Sequence, residues 1–171
     1  MYYFGYGSNM LTSRLQARVP SATPVATGQL KGHELRFHKR SQDGSGKCNI
    51  VPSDDDCVHG VVFDVSSSDL HPLDEAEQRG HGHERSSLTV QGPSASIEAF
   101  AYVAQPAYVD DALRPYDWYR ALVLAGALEH ALPDEYVTQI EEVPSAPDPN
   151  RDRRRTHRQL LREAGFSSSG H

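Results

Sequence analysis

The chain opens Met1-Tyr2-Tyr3-Phe4-Gly5-Tyr6-Gly7-Ser8-Asn9-Met10, and the rest of the sequence is organised around this stretch. Tyr2, Tyr3 and Phe4 are aromatic and favour extended backbone, so they read as a short buried strand. Residues 5–9 then form a turn of residues that tolerate unusual backbone angles and leave amides uncovered. Beyond it, Leu11 and Leu15 with Arg14, Gln16 and Arg18 have the spacing of a short amphipathic helix, capped by Ser8 or Asn9. Strand, glycine turn and helix start aim several N–H groups and the positive end of a helix dipole at one spot. Such a spot suits a carboxylate or another anion. The plainer alternative is a tight turn whose glycines only solve backbone geometry.

With 171 residues, the chain is long enough for one domain with a hydrophobic core. Its formal net charge of -6 argues against a nucleic-acid partner, which would call for a basic excess. No apolar run is long enough to span a bilayer, and the start lacks the pattern of a secretory leader, so no membrane partner is expected. Two cysteines, Cys48 and Cys57, fit a reduced cytoplasmic protein; a bridge between them is neither required nor excluded.

Further along, residues 28–40 alternate as a half-buried strand and 42–46 read as a loop. Residues 48–51 read as a second strand stopped by Pro52, Asp54, Asp55 and Asp56 as an acidic turn, and 58–65 as the strongest strand. Ser66 to Asp69 offer caps for a helix over about 70–79, ended at Gly80. Strands follow at 87–90 and 97–103, then a helix over 118–130 and another with Pro133 in its first turn. Strands first and helices later predict an α+β domain on a largely antiparallel or mixed sheet, with closure into a β-barrel left open. Residues 1–145 form that domain, and 146–171 a linker, a charged helix and a flexible tail after Gly165.

On the helix after residue 65, Leu70, Leu73 and Glu77 share one face, with Asp74 at its border. Glu77 is thus a carboxylate on an apolar stripe, in the last helical turn. Desolvation and the negative end of the helix dipole would both raise its pKa, as a general acid/base requires. The alternative places Glu77 at the exposed end of the stripe, paired with Arg79 or Arg85. His81 and His83 could share a metal ion, but spacing identifies no third ligand, so neither metal nor cofactor is assigned. Ser8 lacks the elbow and neighbouring base of a serine nucleophile.

Tyr6-Gly7-Ser8-Asn9-Met10, Gly60-Val61-Val62-Phe63, Leu73-Asp74-Glu75-Ala76-Glu77, residues 119–126 and Leu132-Pro133-Asp134-Glu135-Tyr136 together resemble the γ-glutamylcyclotransferase family, in its order, from residue 3 to about 142. The resemblance implies a mixed β-barrel with flanking helices and an enzyme that converts a γ-glutamyl-amino acid or γ-glutamyl-amine to 5-oxoproline and the free amine. It implies that Tyr6, Gly7, Ser8, Asn9 and Met10 hold the γ-glutamyl unit, that Glu77 is the catalytic acid/base, and that Tyr102 and Tyr119 line the pocket. Two positions depart from the family pattern. Gln78 stands where glycine is usual, and His83 where an aromatic residue is common, so His83 is added to the substrate-binding set. The altered loop leaves substrate choice open, including a natural-product intermediate, and a homodimer is left open too. The rival expectation is a non-catalytic module on the same fold that binds a small carboxylate.

Overall fold

A computed structural model of the chain describes residues 1–167. The tail expected after Gly165 falls, from residue 168 onward, outside the described residues. Strands β1 (Tyr2–Gly5), β2 (Thr23–Arg40), β3 (Gly46–Asp64), β4 (His83–Gln91) and β5 (Ser96–Ala104) alternate with helices α1 (Thr12–Arg18) and α2 (Leu70–Ala76). Helices α3 (Asp117–Glu129), α4 (Asp134–Glu141) and α5 (Arg151–Glu163) follow. The strands close into a barrel in the order β1-β3-β2-β4-β5. Every pairing is antiparallel except β1 with β5, which meet in parallel at Tyr3 and Phe100. The chain is therefore the expected α+β mixed barrel with flanking helices. Among the described residues, no helix is long and apolar enough to cross a membrane.

The opening strand is central because its side chains enter the core from Tyr3 onward. Phe4 is fully buried with Phe63, Val61 and Val62 of the paired β3, whereas Tyr2 is 46% exposed and belongs to the outer face. The turn after β1 differs from expectation in its mechanics. Gly5 and Gly7 are not among the residues with left-handed backbone, and Gly7 has φ -112°. Glycine stands at position 7 for space: a Cβ there would lie 3.2 Å from both the Cys48 Cβ and the Tyr119 hydroxyl. Ser8 and Asn9 cap nothing. They sit inside a short 3-10 turn, Ser8–Met10, and Leu11 takes the N-cap position of α1.

The long hairpin is also more continuous than the sequence suggests. β2 begins at Thr23, and β3 runs unbroken through Pro52. Lys31 pairs with Cys57 while His33 pairs with Pro52, so residues 53–56 bulge out of the ladder. A bulge is where a strand tolerates a proline, because no ladder N–H is needed there. The acidic residues expected in a turn are carried outward on this bulge. The hairpin turn itself lies between β2 and β3, where the Ser41 and Gly44 amides donate to Ser45 and Ser41 carbonyls. Cys48 and Cys57 both lie on β3 as free thiols.

Helix α2 stops three residues earlier than its periodicity predicts. Glu77 is its C-cap; Gln78 (φ +53°) and Gly80 (φ +82°) then take left-handed backbone and turn the chain toward β4. A non-glycine residue in that region costs about 1 kcal/mol, which suits the glycine that the family resemblance implies at position 78.

Helix α5 packs on the domain through one buried acid. The Asp148 carboxylate accepts from the Trp118 indole N–H (2.8 Å) and from Arg153 Nε and Nη2 (2.6 Å each), and the His157 ring stacks on Trp118 with centroids 3.7 Å apart. Arg153 holds the Asp148 carboxyl down at about 2. A depressed carboxyl stabilises the fold above its unfolded pKa, so this contribution fades as pH falls from about 4 toward 2. Asp148→Asn keeps an acceptor for Trp118 but not the charge, and is expected to cost about 1–2 kcal/mol. Denaturant melts at pH 7 should show that loss, and the difference from wild type should shrink near pH 2. An equal difference at both pH values would show that the ion pair is not what Asp148 supplies.

Candidate active site

One cavity of about 260 Å³ opens between the 3-10 turn, the end of α2, the start of β4 and helices α3 and α5. Of the residues singled out in the sequence, Tyr6, Gly7, Ser8, Asn9, Glu77, His83, Tyr102 and Tyr119 all line it. Met10 does not. Its side chain is fully buried against Gly126 of α3, and its N–H donates to the Gly7 carbonyl at 3.1 Å, so it supports the turn from behind.

Glu77 reaches the cavity because the helix ends there. Its side chain is 18% exposed, and its Oε1 accepts from Asn9 Nδ2 at 2.6 Å. The same Asn9 nitrogen lies 3.2 Å from the Tyr3 hydroxyl, while Asn9 Oδ1 accepts from Arg18 at 3.4 Å. Two acceptors on one side and a cation on the other orient the amide. Neither Arg79 nor Arg85 pairs with Glu77. Both bind Asp74, which also accepts from the Tyr102 hydroxyl at 2.7 Å. Asp74 therefore ties α2 to β4 and β5 and leaves Glu77 free to face the cavity.

His83 is buried at the start of β4, where the sequence suggests an exposed loop as readily. Its Nδ1 lies 2.8 Å from the Glu77 backbone carbonyl and 3.6 Å from Glu77 Oε2. A carbonyl can only accept, so Nδ1 carries the proton. Burial lowers the His83 pKa, against the opposing pull of Glu77. His81 is exposed and stands apart, and among the described residues no group of three or more His, Cys, Asp and Glu gathers as a metal site.

The tyrosines act as walls. The Tyr6 hydroxyl donates to the Tyr102 carbonyl, and the Tyr119 hydroxyl accepts from the Cys48 amide at 3.1 Å. Burial raises the pKa of Tyr3, Tyr6 and Tyr119 well above the usual tyrosine value, so all three stay protonated. Burial likewise pushes the Cys48 thiol up to about 12, which removes it as a nucleophile at neutral pH.

Several lining residues escape a sequence reading. Arg14, Arg18, Lys39, Lys47 and Arg153 all reach the cavity, bringing cations from α1, β2, β3 and α5, and His157 joins them as a neutral imidazole whose pKa burial lowers to about 4. Arg14 is buried with its Nε on the Ser8 hydroxyl (3.1 Å), and burial lowers its pKa to about 10, still a cation at neutral pH. Lys39 is buried beside Gln78 (3.5 Å), and it packs where a Cβ on Gly82 would stand, 2.8 Å from the Lys39 Cε. Spacing four apart of Arg14 with Arg18, and of Arg153 with His157, is the signal that each pair shares a helix face. Nothing local says that those faces look inward.

The family model described as "Gamma-glutamyl cyclotransferase, AIG2-like" matches residues 3–121. The human "Gamma-glutamylcyclotransferase" is 31% identical over 153 residues, covering 82% of this chain and 77% of that protein. A solved "Gamma-glutamyl cyclotransferase" superimposes with a TM-score of 0.83 at 25% identity, covering 93% of this chain and 98% of the other. An uncharacterized human protein superimposes at 0.81 with 27% identity, covering 91% and 96%.

Proposed function

The chain belongs to the gamma-glutamyl cyclotransferase, AIG2-like family, and from that premise we propose that it closes a γ-glutamyl amide to 5-oxoproline with Glu77 as general acid/base. The observation that carries this reading is the Glu77 carboxylate. It stands at the cavity wall, held by Asn9 of the turn that would cradle the substrate. The substrate α-amine is protonated at neutral pH and cannot attack until it loses a proton. Glu77 takes that proton, and the amine nitrogen bonds to its own γ-carbonyl carbon. The carbonyl electrons move onto oxygen, to be returned as the bond to the leaving nitrogen breaks. Glu77 then gives its proton to that nitrogen, and the ring nitrogen passes its second proton to the released amine, which leaves as the ammonium ion. Every atom of both products comes from the one substrate, so no co-reactant is needed.

The rest of the wall is suited to this work. The Ser8 and Asn9 amides begin a 3-10 turn, where N–H groups have no intrahelical partner, and such donors serve a carboxylate or a developing oxyanion. The five-membered closure is intramolecular, so holding the glutamyl chain folded between Tyr6, Tyr102 and Tyr119 lowers much of the barrier. Arg18 and Lys39, flanking Glu77, supply cations for the substrate α-carboxylate.

The test is 5-oxoproline release from a panel of γ-glutamyl-amino acids and γ-glutamyl-amines. Release from a subset is expected. Silence across the panel from folded protein would favour the rival module that binds a carboxylate without turning it over.

A further inference from the structure

Four tyrosines line the cavity, and one of them is left with a proton to give. The Tyr6 hydroxyl donates to the Tyr102 carbonyl, and the Tyr102 hydroxyl to the Asp74 carboxylate. Tyr119 lies against the amide and the thiol of Cys48. Tyr3 differs. Its oxygen accepts from Asn9 Nδ2 at 3.2 Å, and among the described residues no acceptor takes its own proton. A hydroxyl both gives and receives, so a buried one that only receives is half satisfied.

The barrel fixes where that proton can go. Tyr3 stands on β1 opposite Phe63 of β3 and Phe100 of β5, and is 5% exposed. Its ring packs among Phe63, Phe100 and Tyr102, with centroids 6.4, 5.5 and 5.9 Å away. A phenol oxygen lies on the axis about which its ring flips, so a ring held this way holds its hydroxyl too. The Asn9 nitrogen that meets Tyr3 also meets Glu77 Oε1, at 2.6 Å. Tyr3 and Glu77 are thus neighbours across one amide nitrogen, on one wall of the cavity. Burial first, and the Glu77 charge second, raise the Tyr3 pKa well above the usual tyrosine value, so the hydroxyl keeps its proton. The Asn9 N–H that points at its oxygen makes it a stronger donor in turn.

We propose that Tyr3 is a further catalytic residue, whose hydroxyl donates a hydrogen bond to the γ-carbonyl oxygen of the substrate as that oxygen gains charge. This rests on the cyclotransferase reading and adds a side-chain donor to the amides of Ser8 and Asn9. As the α-amine nitrogen bonds to the carbonyl carbon, the C=O electron pair moves onto oxygen. The Tyr3 proton bridges to that oxygen without leaving the phenol. The contact relaxes when the pair returns and the bond to the leaving nitrogen breaks. A fixed donor among aromatic side chains is worth more against a charged oxygen than against a neutral carbonyl, which is what lowers a barrier. One wall then carries both the base and an oxyanion donor, with Asn9 setting their separation.

The experiment sets Tyr3→Phe beside wild type in steady-state release of 5-oxoproline from the best γ-glutamyl substrate of the panel. The substitution removes one oxygen and keeps the ring, so a thermal melt should hardly move. The rate constant kcat should fall roughly 30-fold with KM little changed, the worth of one hydrogen bond to a charged oxygen made only in the transition state. Two binding probes separate this from a bracing role. Glutamine ends in a planar, neutral γ-amide, whereas 2-amino-4-phosphonobutyrate carries a tetrahedral anion at that place. Calorimetry of both in the Glu77→Gln background, with and without Tyr3→Phe, avoids turnover. Phosphonate affinity should fall by a factor like that in kcat, and glutamine affinity should stay nearly level. A kcat near wild type in Tyr3→Phe would overturn the assignment and leave the cyclotransferase standing. So would a lost kcat without the phosphonate-specific loss, since Tyr3 would then only brace Asn9. No 5-oxoproline from folded wild type across the panel would overturn the cyclotransferase reading and the role of Tyr3 with it.

Discussion

Glu77→Gln should lower the rate of 5-oxoproline release by about 10³-fold while leaving the protein folded and able to bind substrate. General acid/base catalysis typically supplies about 10²–10⁴-fold, and here one carboxylate would serve both proton transfers. The amide is close to isosteric, and its oxygen can still accept from Asn9 as Glu77 Oε1 does at 2.6 Å. Neither neighbouring carboxylate is placed to take over. Asp74 is held by Arg85 and Tyr102, Asp43 by Lys47, and the His83 Nδ1 proton is committed to a backbone carbonyl. The residual rate of the variant should rise with pH through the substrate α-amine pKa, because hydroxide can then supply the deprotonation. It should not return to the wild-type level, since the leaving nitrogen still lacks a proton donor. Calorimetric binding of a slow γ-glutamyl substrate and a thermal melt complete the comparison. A fully active, folded Glu77→Gln protein would remove Glu77 from the chemistry.

Most of the barrel was legible in the sequence because its strands carry their own signals. β1 announces itself by three aromatics before a glycine turn, and β5 by the apolar run around Phe100. The glutamate was legible too, since Leu70, Leu73 and Glu77 share a helical spacing even though α2 ends at Ala76. What local pattern misreads is interruption. Pro52 and the aspartates at 54–56 look like the end of a strand, and only the partner strand β2 reveals a ladder that runs on through Pro52 past a bulge at 53–56. The cationic wall was illegible for a different reason. Arg14, Lys47 and Arg153 lie in three distant segments, and each arginine on a polar helix face reads locally as solvated. Their meeting depends on α5 docking through Asp148 and Trp118, a contact that no periodicity encodes.

Gly126→Ala tests whether the cradle turn is held rigidly by the helix behind it. In α3 the substitution should by itself help, since alanine is about 0.8–1.0 kcal/mol better than glycine inside a helix. Space decides against it. A Cβ at position 126 would lie 2.6 Å from the Met10 Cβ, 2.7 Å from the Leu11 nitrogen and 2.8 Å from the Met10 carbonyl carbon. Two of those three atoms are backbone, so no rotamer change relieves the overlap. Overpacking of this kind costs about 1–3 kcal/mol, and with backbone as the obstacle the upper end applies. The net loss should be about 2 kcal/mol, which for a domain of this size lowers Tm by roughly 5 °C. The same displacement moves residues 8–10, and with them Asn9 and its bond to Glu77. A misplacement of that order can cost about 10²-fold in rate, so kcat should fall with stability. Leu128→Ala, at a position 48% exposed on the same helix, is the control and should change neither by much. If Gly126→Ala instead raised Tm, helix propensity would have outweighed the contact. The turn would then yield to α3, and the Asn9–Glu77 geometry would have to be secured from the Tyr3 side alone.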